Sequence, residues 1–143
     1  MPMTTSTLSS SVEPVSSSKA LLWTGRVLSA LGVLFLAFDG TFKLFAPPEG
    51  IESSAALGWS GELVFRLGVL QLVLLVLYLV PRTSVLGALL WVGYLGGAVA
   101  THVRVGNPLF SHVLFPTYIA ALLWGGLWLR EPRLRALLPF ISR

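Results

Sequence analysis

Cysteine is absent from all 143 residues. That excludes disulfides, thiolate metal sites and a dithiol redox cycle within the chain, and it leaves the compartment open. Charge is scarce as well. Only 11% of residues are Asp, Glu, Lys or Arg, where a soluble domain carries about 25%. No glycine-rich dinucleotide fingerprint, phosphate-binding loop, zinc-protease helix or nucleophile elbow is found. Histidine occurs twice, as His102 and His112. A metal or haem held by that pair would have no further supporting ligand, so no metal is assigned and no cofactor is evident.

What the chain has instead is apolar length. Hydrophobic residues make up 55% of it. They gather into residues 21–45, 63–80, 85–103 and 109–129. At 1.5 Å per residue, a helix of any of these lengths crosses a hydrocarbon core of about 30 Å. The link Pro81-Arg82-Thr83-Ser84 is too short for anything but an antiparallel pair. Gly106-Asn107-Pro108 reads as a tight turn, and residues 46–61, with Pro47-Pro48, as a longer loop. The expected fold is therefore all-α: a four-helix transmembrane bundle of antiparallel up-down topology, with the lipid bilayer as its first partner. Residues 1–19 form a Ser/Thr-rich tail with too few apolar residues for a core, so disorder is expected there. Residues 20–130 form the membrane domain. Residues 131–143 form a basic tail in which Leu134, Leu137, Leu138 and Ile141 follow helical spacing, as in a short interfacial helix or a topology anchor.

The net charge of +4 does not call for a nucleic-acid partner, because most basic residues flank apolar segments. Lys19, Arg26, Arg82, Arg130, Arg133, Arg135 and Arg143 fall at one set of helix ends, seven against Lys43, Arg66 and Arg104 at the other. Positive charge stays inside, which predicts both termini in the cytoplasm of a multi-pass cell-membrane protein. Trp23, Trp59, Trp124 and Trp128 read as interface residues.

Helix packing is expected along the third segment, where Gly93 and Gly97 form a G-x-x-x-G extended by Thr101. That helix should be the most buried, with Gly32 and Gly125-Gly126 as matching surfaces. Pro116 should bend the fourth helix. The ionisable groups concentrate at the outer ends. Asp39 and Lys43 are four apart and share a helix face, and Glu62 and Arg66 repeat that spacing. Gln71 and Tyr94 lie at mid-membrane depth, where an amide and a phenol need partners. They either fix the bundle through interhelical bonds or face an amphipathic ligand such as a quinone. Pocket candidates are Asp39, Gly40, Lys43, Gln71, Tyr94, Thr101, His102 and Arg104. Asp39, Lys43 and His102 are the candidates for catalysis, with His102 able to handle protons beside Asp39.

Phe38-Asp39-Gly40-Thr41-Phe42-Lys43-Leu44 resembles the F-x-G-x-x-K-L signature of the DoxX-like membrane proteins. Leu86-Gly87-Ala88, followed by Gly93 through Thr101-His102, resembles that family's G-A…G-x-x-x-G-A-x-x-T-H helix. The resemblance covers roughly residues 20–130 and implies a four-helix membrane bundle in which Gly40, Lys43, Thr101 and His102 match the shared motif. Some wider relatives are subunits of sulfur-compound:quinone oxidoreductases or partners of thiol-redox proteins. The disulfide-relay relatives carry cysteines, so the resemblance does not extend to direct thiol chemistry here. The expected function is an accessory or binding subunit linked to membrane redox or quinone metabolism through an outward-facing polar pocket. Two alternatives stay open: an enzyme acting by proton transfer on a lipid-soluble substrate, and a non-catalytic assembly partner for another membrane or redox protein. The charge asymmetry makes one direct prediction. A C-terminal tag should be reached by protease or antibody only from the cytoplasmic side, and access only from outside would overturn the orientation.

Overall fold

Every apolar stretch becomes a helix long and apolar enough to cross a membrane. In a computed structural model that describes residues 19–137, α1 is Lys19–Phe45, α2 Pro48–Ala56, α3 Gly61–Leu79 and α4 Ser84–Arg104. The fourth span, Leu109–Arg130, is a π-helical turn at Leu109–Val113 followed by α5, Phe115–Arg130; α6, Pro132–Leu137, closes the described chain. No strand occurs among the described residues. The tail at residues 1–18 and the positions of Leu138, Ile141 and Arg143 lie outside them.

The spanning helices form a ring in which α1 touches α3 and α5, and α4 touches the same two. The core is filled by Leu36, Leu74, Leu75, Tyr78, Ala88, Trp91, Leu95, Ile119, Leu123 and Leu127. Outside it, Leu34, Phe38, Val76 and Leu89 are among many large apolar side chains left exposed. In water such a surface would aggregate; in a bilayer it is the lipid-facing side.

Close helix approach comes from small residues, because lipid gives no hydrophobic push between helices. The tightest seam joins α1 to α5. A Cβ on Gly25 would sit 2.8 Å from the Gly126 carbonyl oxygen, and one on Gly126 would sit 2.3 Å from Ser29 Oγ. Gly32 meets Leu123 across the same seam. Between α3 and α4, a Cβ on Gly87 would fall 2.5 Å from Tyr78 N. Polar groups reinforce the seams. Tyr78 Oη donates to the Leu123 carbonyl at 2.8 Å and bonds Ser29 Oγ at 2.9 Å, and the Trp124 indole donates to the Ala88 carbonyl at 3.2 Å.

Several expectations need correction. Gly93 and Gly97 are not a packing face within the chain, since a Cβ on either would meet nothing within 4 Å. Thr101, which extends that stripe, bonds its own helix at the Gly97 carbonyl, 2.9 Å away. Nor is α4 the most buried helix: 28% of its apolar window is buried, against 33% in α3 and in the fourth span. The α4 core face is Gly87, Ala88, Trp91 and Leu95, and the glycine stripe lies on roughly the opposite side of the helix. Gly32 and Gly126 match α1 to α5 rather than to α4. Residues 46–61 are not only a loop. The chain turns at Ala46 (φ 42°), and Pro48 then occupies the first turn of α2, where its missing N–H costs nothing. Pro116 does not bend a continuous helix; the π-helical turn ends at Leu114, and Pro116 opens α5. Trp124 belongs to the interior, and Leu134 of α6 packs on the core rather than lying on lipid.

The seams imply opposite outcomes for two glycine substitutions. Gly126→Ala should lower unfolding stability in detergent by about 1–3 kcal/mol through overpacking against Ser29. Gly93→Ala should leave it unchanged or raise it by up to ~1 kcal/mol, the helix-propensity gain. Equal effects at both positions would contradict this assignment of the seams.

Candidate functional site

Asp39 and Lys43 lie one turn apart near the end of α1, and the Lys43 ammonium bonds Asp39 Oδ2. An ion pair at this depth is tolerated only if its remaining polar valences are met. Gln71 of α3 meets them from both sides. Its Oε1 accepts from Lys43 Nζ at 2.9 Å, and its Nε2 donates to Asp39 Oδ2 at 2.9 Å. The carbonyl end of the amide thus faces the cation and the NH2 end faces the carboxylate. The second N–H donates to the Leu36 carbonyl at 2.8 Å, and Oε1 also accepts from Tyr94 Oη at 2.8 Å. With two donors and two acceptor positions all used, the amide of this fully buried residue is saturated. Lys43 Nζ lies 3.4 Å from Tyr94 Oη as well, so each of its three protons has a protein partner.

Two glycines bring the helices close enough for this. A Cβ on Gly40 would stand 3.1 Å from Leu72 Cδ2 and 3.4 Å from the Gln71 side chain. A Cβ on Gly68 would stand 3.0 Å from Lys43 Cβ and 3.1 Å from the Gly40 carbonyl oxygen. Gly40 is therefore a spacer between α1 and α3 and does not line the pocket.

Beside this network lies a cavity of about 360 Å³ between α3 and α4. Lys43 and Tyr94 form its polar end, while Val64, Leu67, Gly93, Gly97 and Ala98 give apolar walls. The open side of Gly93 and Gly97 is this space. Thr101 and His102 line it, with Ser54, Leu57 and Trp59 from α2 and the following turn. That turn is clamped by Arg104, which donates to the Leu57 carbonyl at 2.6 Å. Gly58 holds φ +83°, and a Cβ there would also press on Arg104 Nη2 at 3.1 Å. Arg104 thus anchors one wall without lining the cavity. Glu62 and Arg66 pair at 2.5 Å on the surface and take no part.

His102 is separate from the ion pair. Asn107 Nδ2 contacts its Nδ1 at 2.8 Å, and the His112 ring lies 5.9 Å away, edge to face. With the Asn107 NH2 donating, the His102 proton sits on Nε2. No hydrogen bond joins His102 to Asp39, so proton exchange between them, anticipated from sequence, has no direct route. Among the described residues no group of three or more His, Cys, Asp or Glu is placed to hold a metal ion.

Sequence reasoning missed the α2 side of the cavity. Ser54 and Leu57 carried no signal, and Trp59 was read only as an interface aromatic. Asp39, Lys43, Gln71 and Tyr94 are brought together, but of these four Lys43 and Tyr94 line the cavity, while Asp39 and Gln71 are held behind them; Thr101 and His102 line it from further along α4, and Gly40 and Arg104 support it without lining it.

Compared with known families, residues 27–126 match the model described as the DoxX-like family. No curated protein and no solved structure matches the chain.

The saturated network predicts strong coupling between its members. Lys43→Met should destabilise the bundle by about 2–4 kcal/mol, because it strands the carboxylate. The double variant Asp39→Asn/Lys43→Met should recover about 1–3 kcal/mol relative to the sum of the single losses. Additive losses in a double-mutant cycle, read by unfolding in detergent, would mean that the two side chains act independently.

Proposed function

The chain belongs to the DoxX-like family, and on that premise we propose that it is a binding subunit of the membrane rather than an enzyme. Its cavity takes the acceptor-bearing head of a lipid-soluble molecule. The observation that carries this reading is the cavity of about 360 Å³ beside a polar network that has no proton to spare. A group poised for catalysis needs a free valence toward the substrate. Lys43 has none, and Asp39, whose Oδ2 accepts from both Lys43 and Gln71, does not line the cavity.

Donors remain on the other walls. His102 Nε2–H is free of the Asn107 contact, and among the described residues the Trp59 indole N–H has no protein partner. A flat head with carbonyl acceptors and an apolar tail suits such a lining, and quinones have that chemistry. This supports an accessory role beside a membrane redox or quinone-using system. The bundle is read as antiparallel and up-down, since position 25 meets 126, 40 meets 71 and 87 meets 78. With both termini cytoplasmic by the basic-residue count, the cavity opens toward the outer leaflet.

The open glycines also favour a second reading, in which another subunit's helix lies along α4. One variant separates the two. Gly97→Leu fills the cavity without touching the ion pair. Purification in mild detergent, then mass spectrometry of co-purified small molecules, should find a quinone or similar lipid with the wild type and not with the variant, at equal unfolding midpoints. A variant that keeps the wild-type set of molecules would refute the binding reading; loss of a co-purified membrane protein instead would favour assembly.

A further inference from the structure

The opposite end of the bundle holds a second polar cavity that the network does not use. Where Gly25 presses on the backbone of Gly126 and Arg130, the next residue of α1 is Arg26. Arg26 and Arg130 therefore leave adjacent turns of two touching helices, and both line a cavity of about 240 Å³. Each guanidinium is stacked on an aromatic face, Arg26 at 5.5 Å from the Trp23 ring and Arg130 at 5.3 Å from the Tyr78 ring. Neither is paired with a carboxylate. The pairs Lys43–Asp39 and Arg66–Glu62 lie at the far end of the bundle. Arg130 Nε is buried with no acceptor.

Of the other polar groups of this cavity, Tyr78 and Ser84 are engaged and Glu131 uses one of its two oxygens. Tyr78 Oη donates to Leu123, Ser84 Oγ donates to the Pro81 carbonyl at 3.2 Å, and Glu131 Oε1 accepts from the Arg133 backbone N–H at 3.4 Å. What remains is two guanidiniums of like charge, one of them with a buried Nε that lacks an acceptor. The geometry points to a binding site for a phosphate-bearing anion, the phosphodiester of an anionic lipid or free phosphate. An oxyanion would supply the acceptor that Arg130 Nε lacks and relieve the repulsion between the two cations. Stacking on Trp23 and Tyr78 holds the guanidinium planes ready, so little side-chain freedom is lost on binding. Two guanidiniums and one carboxylate leave the lining with a charge of +1 (2 − 1), which suits a singly charged phosphodiester better than a doubly charged free phosphate. The cavity has room for a head group, and acyl chains would lie along the exposed flank of α1.

The test uses the full-length protein, delipidated in mild detergent and titrated by native mass spectrometry. The probes are dioleoyl phosphatidylglycerol, dioleoylglycerol (the same chains without phosphate) and inorganic phosphate as competitor. Phosphatidylglycerol should be retained and dioleoylglycerol not. Arg130→Gln and Arg26→Gln should each weaken phosphatidylglycerol binding by about tenfold, the loss expected for one charge-assisted bond. Arg82→Gln, at an exposed position of the same bundle end, should not. Displacement of the lipid by equimolar inorganic phosphate would make free phosphate the source; resistance makes it the lipid. Equal retention of dioleoylglycerol, wild-type binding by both Arg variants, or an equal loss in Arg82→Gln would overturn the site. If Arg130→Gln does not fold, the exposed Arg26 carries the test alone. Gly97→Leu should leave this binding unchanged, which keeps the site independent of the outer cavity.

Discussion

A carboxylate and an ammonium inside an apolar bundle survive only as a pair, and the pair only if something fills its leftover hydrogen-bonding capacity. Here Gln71 does so with one amide, carbonyl toward Lys43 and nitrogen toward Asp39. Much else follows from that contact. It requires α1 and α3 to approach at Gly40 and Gly68, where side chains would hold them apart. It draws Tyr94 across from α4 to share the same amide oxygen. With α4 turned so that Tyr94 points inward and Trp91 fills the core, the Gly93–Gly97 stripe is left facing space, and that space is the cavity.

The two ends of the bundle solve their polar problems differently. Toward the outer leaflet as proposed, the Asp39 and Lys43 charges cancel each other and the cavity beside them is mostly apolar. At the other end, Arg26 and Arg130 rest on the aromatic faces of Trp23 and Tyr78. Between them, Ser29, Tyr78 and the Leu123 carbonyl form a purely neutral relay that ties α1, α3 and α5 together. A membrane protein whose charged groups are either neutralised by one another or held at its boundary needs no water-filled interior. That fits a protein which binds molecules from the lipid phase more readily than one which moves ions across it.

Much of the fold was legible in the sequence because hydrophobic length is a one-dimensional signal. The four spans, the turn at Gly106 and the link at Pro81 needed no tertiary information. The Asp39–Lys43 pair was legible too, since four residues on a helix is a local distance. What could not be read was helix rotation. Gln71 and Tyr94 were candidates both for bundle-fixing bonds and for ligand contacts, and nothing local says that they meet the same ion pair. The glycine stripe of α4 misled for the same reason: small residues mark a close approach or an open groove, and the sequence pattern is identical in both. The close seam was carried by Gly25, Ser29 and Gly126, spread over two distant segments. Pro47-Pro48 was read as punctuation after one helix, although proline is equally at home in the first turn of the next.

The central claim is that a single glutamine bridges both partners of the intramembrane ion pair, and the composition makes it directly measurable. The chain has one glutamine, one aspartate and two lysines. In bilayers, protein labelled with 15Nζ-lysine and 13C at the glutamine and aspartate side-chain carbonyls should give solid-state NMR dipolar contacts from one lysine to both carbons, each within roughly 4 Å. If the glutamine carbon couples to neither lysine while the protein is folded, the bridge does not exist, and the ion pair does not set the placement of α3 and α4 around the cavity.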